Sequence, residues 1–295
     1  MADAALHTPA SLRARSEAAA GALPGLLMAA ERLAATILLG EHGRKRAGPG
    51  EAFWQFRAAQ PGDARRAIDW RQSARGDAHF VRETEWQAAQ SLMLWVDDAA
   101  SMRFSAGKRP SKLRRAQTLA LALAVLAVRA GERVGLAALA EPPRGGKAQL
   151  IRMTEALMEG GDVPDYGTPR PQVMPFGARA VFLSDFLGPT DPLVEALTNA
   201  ADRGVQGVLV QVLDPDEEAF PFDGRTLFES MSGAVRFETL KAGRLRDDYL
   251  SRLAARRAAL RDLCARTGWR FHLHHTDATA ESALLSLYMA LERRR

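Results

Sequence analysis

Five consecutive apolar residues, Leu92-Met93-Leu94-Trp95-Val96, run directly into the acidic pair Asp97-Asp98. An apolar run without alternation fits a strand covered on both faces, as in the interior of a parallel sheet. In open sheets of that kind ligands gather where the strands end at their carboxyl edge. Asp97, and Ser101 shortly after it, therefore stand where recognition or chemistry is expected. The following polar loop carries Gly107 and Pro110, and Lys112 to Arg129 is an almost wholly apolar helix segment. Strand, polar loop and buried helix predict an α/β architecture.

The same grammar recurs downstream. Glu132 to Ala140 reads as a second strand after the Gly131 stop, Pro142 to Gly146 as a turn, and Leu150 to Met158 as a helix. A Pro/Gly-rich loop spans Gly160 to Pro175. Ala178 to Asp185 and Val205 to Asp214 are again apolar runs closed by aspartate, separated by a helical segment from Asp191 to Asp202. Ala234 to Leu240 alternates as an edge strand does. Arg244 to Arg266 is an amphipathic helix, Arg270 to His274 a last strand and Thr279 to Arg293 a closing helix. With the first run near the centre of such a sheet, Asp97 and Asp185 become neighbours at its carboxyl edge.

Upstream, Leu26, Leu27, Ala30, Leu33, Ala34, Ile37 and Leu38 recur at helical spacing, and Gly40 supplies a stop. Residues 1–42 thus form an N-terminal extension with an amphipathic helix. Residues 43–90 are the most unusual segment, rich in arginine and tryptophan. Four of the five tryptophans (Trp54, Trp70, Trp86 and Trp95) fall in or next to it, which argues for packed structure rather than a linker. One reading is a basic, aromatic surface for nucleic acid running from Arg44-Lys45-Arg46 to Arg82. The other is an ion-paired collar packed on the sheet. Between residues 41 and 82, nine Lys or Arg meet five Asp or Glu, a balance that favours the collar. Residues 91–295 carry the α/β pattern, and 43–90 and 91–295 are expected to form one body.

Bulk properties narrow the class. A formal charge of +5 permits an acidic partner without demanding one. The single cysteine, Cys264, excludes an internal disulfide framework and sits in a helical pattern as a structural thiol. The most apolar stretch, Ala116 to Val128, is shorter than the roughly 20 residues of a spanning helix. Leu23 to Leu39 is broken by Pro24, Glu31 and Arg32 and does not read as a signal peptide. These features point to a cytoplasmic protein.

Two carboxylates and a hydroxyl at neighbouring strand ends, Asp97, Asp185 and Ser101, suit a hard cation such as Mg²⁺. The alternative is that these aspartates cap the segments that follow them. A haloacid-dehalogenase phosphatase needs a second aspartate two positions after its nucleophile, where this chain has Ala99. A receiver domain needs a lysine at a later strand end, and none follows Asp185 or Asp214 closely. Walker A, Gly-x-Gly-x-x-Gly and nucleophile-elbow sequences are absent. His272 and His274 share one strand face and read as packing residues rather than ligands.

Gly48-x-Gly50-Glu51-x-Phe53, Arg57, Pro61-Gly62-Asp63, Arg65, Ile68-Asp69-Trp70, Ala74-Arg75 and Val81-Arg82-Glu83 resemble the signature of a bacterial family, the domain-of-unknown-function family fifty-eight. The segment after it resembles a von Willebrand factor A domain, and the resemblance continues to about Gly135 and again from Leu183-Ser184-Asp185-Phe186. It implies a Rossmann-like, mostly parallel sheet with helices on both faces and a metal-ion-dependent adhesion site. The family's Asp-x-Ser-x-Ser pattern falls on Asp97, Ala99 and Ser101, with Asp185 as the later aspartate and Thr168 as candidate for the threonine such sites use. Mg²⁺ is then a candidate ligand, held weakly or not at all because Ala99 replaces a serine. Asp98 and Arg103 are candidates for contact with a partner. Family members are encoded beside MoxR-type AAA+ ATPases, which implies a non-enzymatic interaction module with a chaperone-like or assembly role. The alternatives are nucleic-acid binding through residues 44–82 and a metal-dependent hydrolase, for which no general acid, base or nucleophile is identifiable beside the acids.

Overall fold

The computed structural model describes residues 25–37, 53–58, 68, 70–73, 80–84, 90–159, 164–170, 174–229, 233 and 236–291. Two units partition the chain, one made of Met1–Gly40 with Ser91–Arg295 and the other of Glu41–Gln90. The single body expected from 43 to 295 thus divides just before the organising strand, and the N-terminal extension belongs with the larger unit.

Helix α1 covers 25–37. Its predicted apolar stripe is buried: Leu26, Ala30, Leu33, Ala34 and Ile37 all enter a core of the larger unit. Burying side chains of the size of Leu26, Leu33 and Ile37 stabilises by about 1.5–3 kcal/mol each, before entropy is counted. The Gly40 stop lies outside the described residues. In the smaller unit, strands β1 (Phe53–Ala58) and β2 (Phe80–Thr84) pair antiparallel with a register irregularity between Phe53 and Gln55. A single helical turn, α2 (Trp70–Ser73), precedes β2, and the Phe80 amide donates to Ser73 Oγ at 2.9 Å. Arg44-Lys45-Arg46, Arg65, Arg66, Arg75 and Trp86 lie outside the described residues.

The larger unit continues with β3 (Ser91–Val96), α3 (Lys112–Arg129), β4 (Arg133–Leu136), α4 (Lys147–Met158), β5 (Arg179–Ser184) and α5 (Asp191–Asp202). After these come β6 (Gln206–Leu213), α6 (Pro215–Ala219), β7 (Thr226–Glu229), β8 (Arg236–Thr239), α7 (Arg246–Thr267), β9 (Arg270–His275) and α8 (Ala280–Leu291). Five strands form the main sheet in the order β4-β3-β5-β6-β9, and each described pairing in it is parallel. This is the expected Rossmann-like α/β sheet flanked by helices.

Strand side chains alternate between two cores, as the pleat requires. Leu92, Leu94 and Val96 of β3 join Val181 and Leu183 of β5 and the apolar faces of α1, α3 and α8. Met93, Trp95, Ala180 and Phe182 face the other way, against α5 and α7. There Trp95 and Phe182 meet edge-on at 5.4 Å, and Phe182 meets Trp269 at 5.1 Å. Helix α3 is buried for most of its length because residues 119–128 are all Ala, Leu and Val, and Ala and Leu also favour helix intrinsically. Ser111 caps its start by accepting from the Arg114 amide at 3.2 Å. Its end turns at Gly131, whose φ of 79° suits glycine.

Two expectations change in detail. The second strand is shorter than Glu132 to Ala140, because the chain tightens into a 3₁₀ turn at Ala137–Leu139 and enters the left-handed region at Ala140. Residues 236–239 do not extend the main sheet. They pair with β7 in a separate antiparallel ribbon, and exposure of Arg236, Phe237 and Glu238 explains why their alternation buries no face. The edges of the main sheet are β4 and β9. On β9, His274 is buried, with its imidazole pushed down to about 4 by burial, as befits a packing residue. Cys264 is buried too, and burial pushes its thiol up to about 12.

Candidate functional site

β3 and β5 lie side by side with Val96 opposite Leu183, so their carboxyl ends deliver Asp97 and Asp185 to one corner. The ladder continues one residue further, with the Asp97 amide donating to Leu183 O at 2.9 Å. After Asp97 the chain makes a 3₁₀ turn, Ala100–Arg103, which packs against the segment 164–170. The amides of Ala100 and Ser101 donate to the carbonyls of Pro164 and Asp165, both at 2.9 Å. Gly167 in that segment stands against the Asp97 carboxylate so closely that an added Cβ would lie 1.9 Å from Oδ1.

Both oxygens of Asp97 have protein partners. Oδ2 accepts from Ser184 Oγ at 2.6 Å and Oδ1 from the Ala99 amide at 2.9 Å. Burial pushes this carboxyl up from its usual range, opposed by those two hydrogen bonds and assisted by the neighbouring Asp185 and Asp98 charges. Ser184 Oγ also accepts from the Phe186 amide at 2.9 Å, so the hydroxyl bridges the two strand ends.

Asp185 is buried to the same degree as Asp97, and its counter-charge comes from helix α3. Lys112 Nζ donates to Asp185 Oδ2 at 2.9 Å and to Glu217 Oε1 at 2.6 Å, with the lysine side chain fully buried. The ring of Phe104 faces the same ammonium with its centroid 6.0 Å away. The other Asp185 oxygen accepts from the Leu187 amide at 3.1 Å, and its carbonyl from Gln211 Nε2 at 2.9 Å. Burial alone would lower the lysine's pKa, but the Asp185 and Glu217 charges outweigh it, and the pKa is raised. The corner therefore holds a charged ammonium among carboxylates.

Asp214, at the end of β6, is a cap with further duties. It accepts from the Asp216 amide at 3.0 Å and forms a capping box with Glu217 at the start of α6. Arg109 reaches both of its oxygens, at 2.8 and 3.1 Å, and Thr276 Oγ1 donates at 3.0 Å. The capping alternative thus describes Asp214 well. Asp97 and Asp185 also receive the amide two residues on, but each has a buried side-chain partner besides.

The sequence-predicted residues divide accordingly. Asp97 and Asp185 meet at the corner, Ser101 sits on the adjoining turn, and Thr168 follows Gly167 in the packed segment, half-buried. Asp98 and Arg103 are exposed on the same edge. Lys112, Ser184, Glu217 and Gly167 were not anticipated as parts of the site. A signal for Lys112 was nonetheless present: α3 opens with Lys112, Arg114 and Arg115 and has no acid in its first turn. Cations there oppose the helix dipole and need an external reason.

The implied Mg²⁺ can be tested against this donor set. Ala99 supplies no side-chain oxygen, both Asp97 oxygens are engaged, and the Asp185 oxygens are held by Lys112 and by the Leu187 amide. Ser101 Oγ alone among these is buried with no partner among the described residues. One orphaned hydroxyl, with both aspartates already engaged, does not fit a magnesium ion. Among the described residues no cluster of three or more His, Cys, Asp or Glu is arranged to hold a metal. Nearby, a recess lined by Gly167, Pro169, Phe186, Gly188, Thr190 and Arg256 has a volume of about 10 Å³, room for about one water.

Comparison with known proteins places the chain among bacterial relatives. It is 29% identical over 275 residues to the uncharacterized proteins Rv1480 of Mycobacterium tuberculosis and Mb1516 of Mycobacterium bovis, covering 87% of this chain and 85% of each of those. Among solved structures, the conserved hypothetical protein BatB from Bacteroides thetaiotaomicron overlaps 68% of this chain and 98% of its own, at 15% identity and a TM-score of 0.39. The family model described as protein of unknown function DUF58 matches residues 55–259, well over half of the chain, and the protein belongs to that family.

Proposed function

We propose that the protein is a non-enzymatic interaction module that docks a protein partner on the carboxyl edge of its sheet. The observation that carries this reading is the saturation of the buried carboxylates at that edge by protein partners. Asp97 is spent on Ser184, Asp185 and Glu217 on Lys112, and Asp214 on Arg109 and Thr276. A hydrolytic site would instead leave a base or nucleophile with an unmet partner beside a substrate-sized cavity. Over this fixed framework lie exposed groups suited to contact, Asp98, Arg103 and Tyr166, on two segments hydrogen-bonded to each other.

The partner class follows from the family resemblance: a MoxR-type AAA+ ATPase, with a chaperone-like or assembly role. The test is direct binding of the purified protein to a purified MoxR-type ATPase from the same organism, followed by interferometry. Saturable binding that weakens at least tenfold in the charge reversals Asp98→Arg and Arg103→Glu supports the reading. Absence of binding, or binding indifferent to both reversals, removes the ATPase or this edge from it. Hydrolysis of phosphoesters that is lost in Asp97→Asn would favour the enzyme reading instead.

A further inference from the structure

We infer that the Lys112 ammonium occupies the place of the divalent cation in this corner, so that the site is metal-independent. The inference concerns the site on which the proposed docking rests, and it stands on the donor geometry alone. The ammonium touches Asp185 and Glu217 at 2.9 and 2.6 Å, distances at which a charge-assisted hydrogen bond is fully formed. The aromatic face of Phe104 closes a further side. Such a position, between two carboxylates in a buried setting, is one in which a hard cation would otherwise be needed to offset the negative charge.

Three features favour replacement over coexistence. The lysine side chain is fully buried and Asp185 nearly so, which leaves no solvent path along which a hydrated ion could share the carboxylate. Mg²⁺ is dehydrated reluctantly and keeps several waters, which a position already filled by the Lys112 side chain does not accommodate. A second positive charge beside the ammonium would also be repelled at short range. The loss of a hydroxyl at Ala99 belongs to the same picture. Its amide, not a side chain, now meets Asp97.

The chemistry changes with the cation. A metal with an open position can accept a carboxylate from a partner, whereas this ammonium is directed inward and out of reach. Binding at this edge then proceeds through the exposed rim and not through a bridging acid.

The experiment is a thermal-unfolding titration with Mg²⁺ and with Mn²⁺, joined to a measurement of free Mn²⁺ by electron paramagnetic resonance. Wild type is expected to show no saturable rise in melting temperature and no retention of Mn²⁺ up to millimolar ion. Lys112→Gln, which vacates the position between Asp185 and Glu217, is expected to gain a saturable, metal-dependent rise that Lys112→Gln/Asp185→Asn lacks. Mn²⁺ binding by wild type that Asp185→Asn abolishes would overturn the inference. So would a folded Lys112→Gln protein indifferent to both ions. Should Lys112→Gln fail to fold, the wild-type titration decides by itself. Failure of the ATPase to bind would leave these results unchanged, so the two readings fall separately.

Discussion

Gly167 and Asp97 face each other across the corner at a distance that excludes any side chain on the glycine, since a Cβ would stand 1.9 Å from the carboxylate oxygen and 2.4 Å from its carbon. Gly167→Ala must therefore displace either the 164–170 segment or the Asp97 carboxyl from its Ser184 and Ala99 partners. The expected cost is about 1–3 kcal/mol, as for overpacking elsewhere. Chemical denaturation of the variant checks it, and an unchanged midpoint would mean the segment yields freely.

The Lys112 cluster sets the next expectation. Removing one member of a buried ionic group leaves the others uncompensated and costs about 3–5 kcal/mol. Lys112→Met should approach that loss. Because Asp185→Asn acts on the same contact, the double variant should fall well short of the summed single effects. Additive losses in a double-mutant cycle would show that the two residues do not depend on each other.

Two serines at the corner should behave oppositely. Ser184 donates to a buried carboxylate, a bond worth about 1.5–3 kcal/mol, so Ser184→Ala should destabilise by that order. Ser101 Oγ is buried and has no partner among the described residues, so Ser101→Ala removes an unmet desolvation cost and should be neutral to stabilising. Equilibrium unfolding of the pair at neutral pH separates them, and a large loss in Ser101→Ala would reveal an unseen partner for that hydroxyl.

Acid stability should carry a distinct signature from Glu218. Its carboxyl is held down from 4.5 to about 2 by hydrogen bonding to Arg257, against burial and with help from His275. A depressed folded-state pKa gives stability that is complete above pH 4.5 and lost as the pH falls towards about 2. The stability difference between wild type and Glu218→Gln should accordingly shrink across that window. Asp97 runs the other way: with its carboxyl pushed up by burial, ionisation costs stability at neutral pH, and the cost is relieved on acidification. Comparing the two proteins cancels the Asp97 contribution. A difference independent of pH would assign the Glu218 effect to packing.

Much of the fold was legible because apolar runs and breakers carry it. Leu92 to Val96, Ala178 to Ser184 and Val205 to Leu213 declare buried parallel strands, and the acid at the end of each marks the carboxyl edge. The neighbourhood of Asp97 and Asp185 followed from the same pattern. The partners that saturate them did not, because Lys112 stands 73 residues from Asp185 in the chain and Ser184 stands 87 from Asp97. Sequence spacing reports on contacts within an element and is silent on which helix start meets which strand end. The alternation of residues 236–239 marked a strand but not its partner, for a related reason. Period two specifies a strand, and only the sheet topology specifies which partner it takes.

Lys112 is the first residue of α3, a helix whose length is buried against both β3 and β5. Its charge is thus bolted to the frame. No chelator withdraws it and no competing ion dilutes it. A corner built on a soluble ion can be switched by supply. This one is set when the chain folds, and any control over it has to be exercised by moving polypeptide.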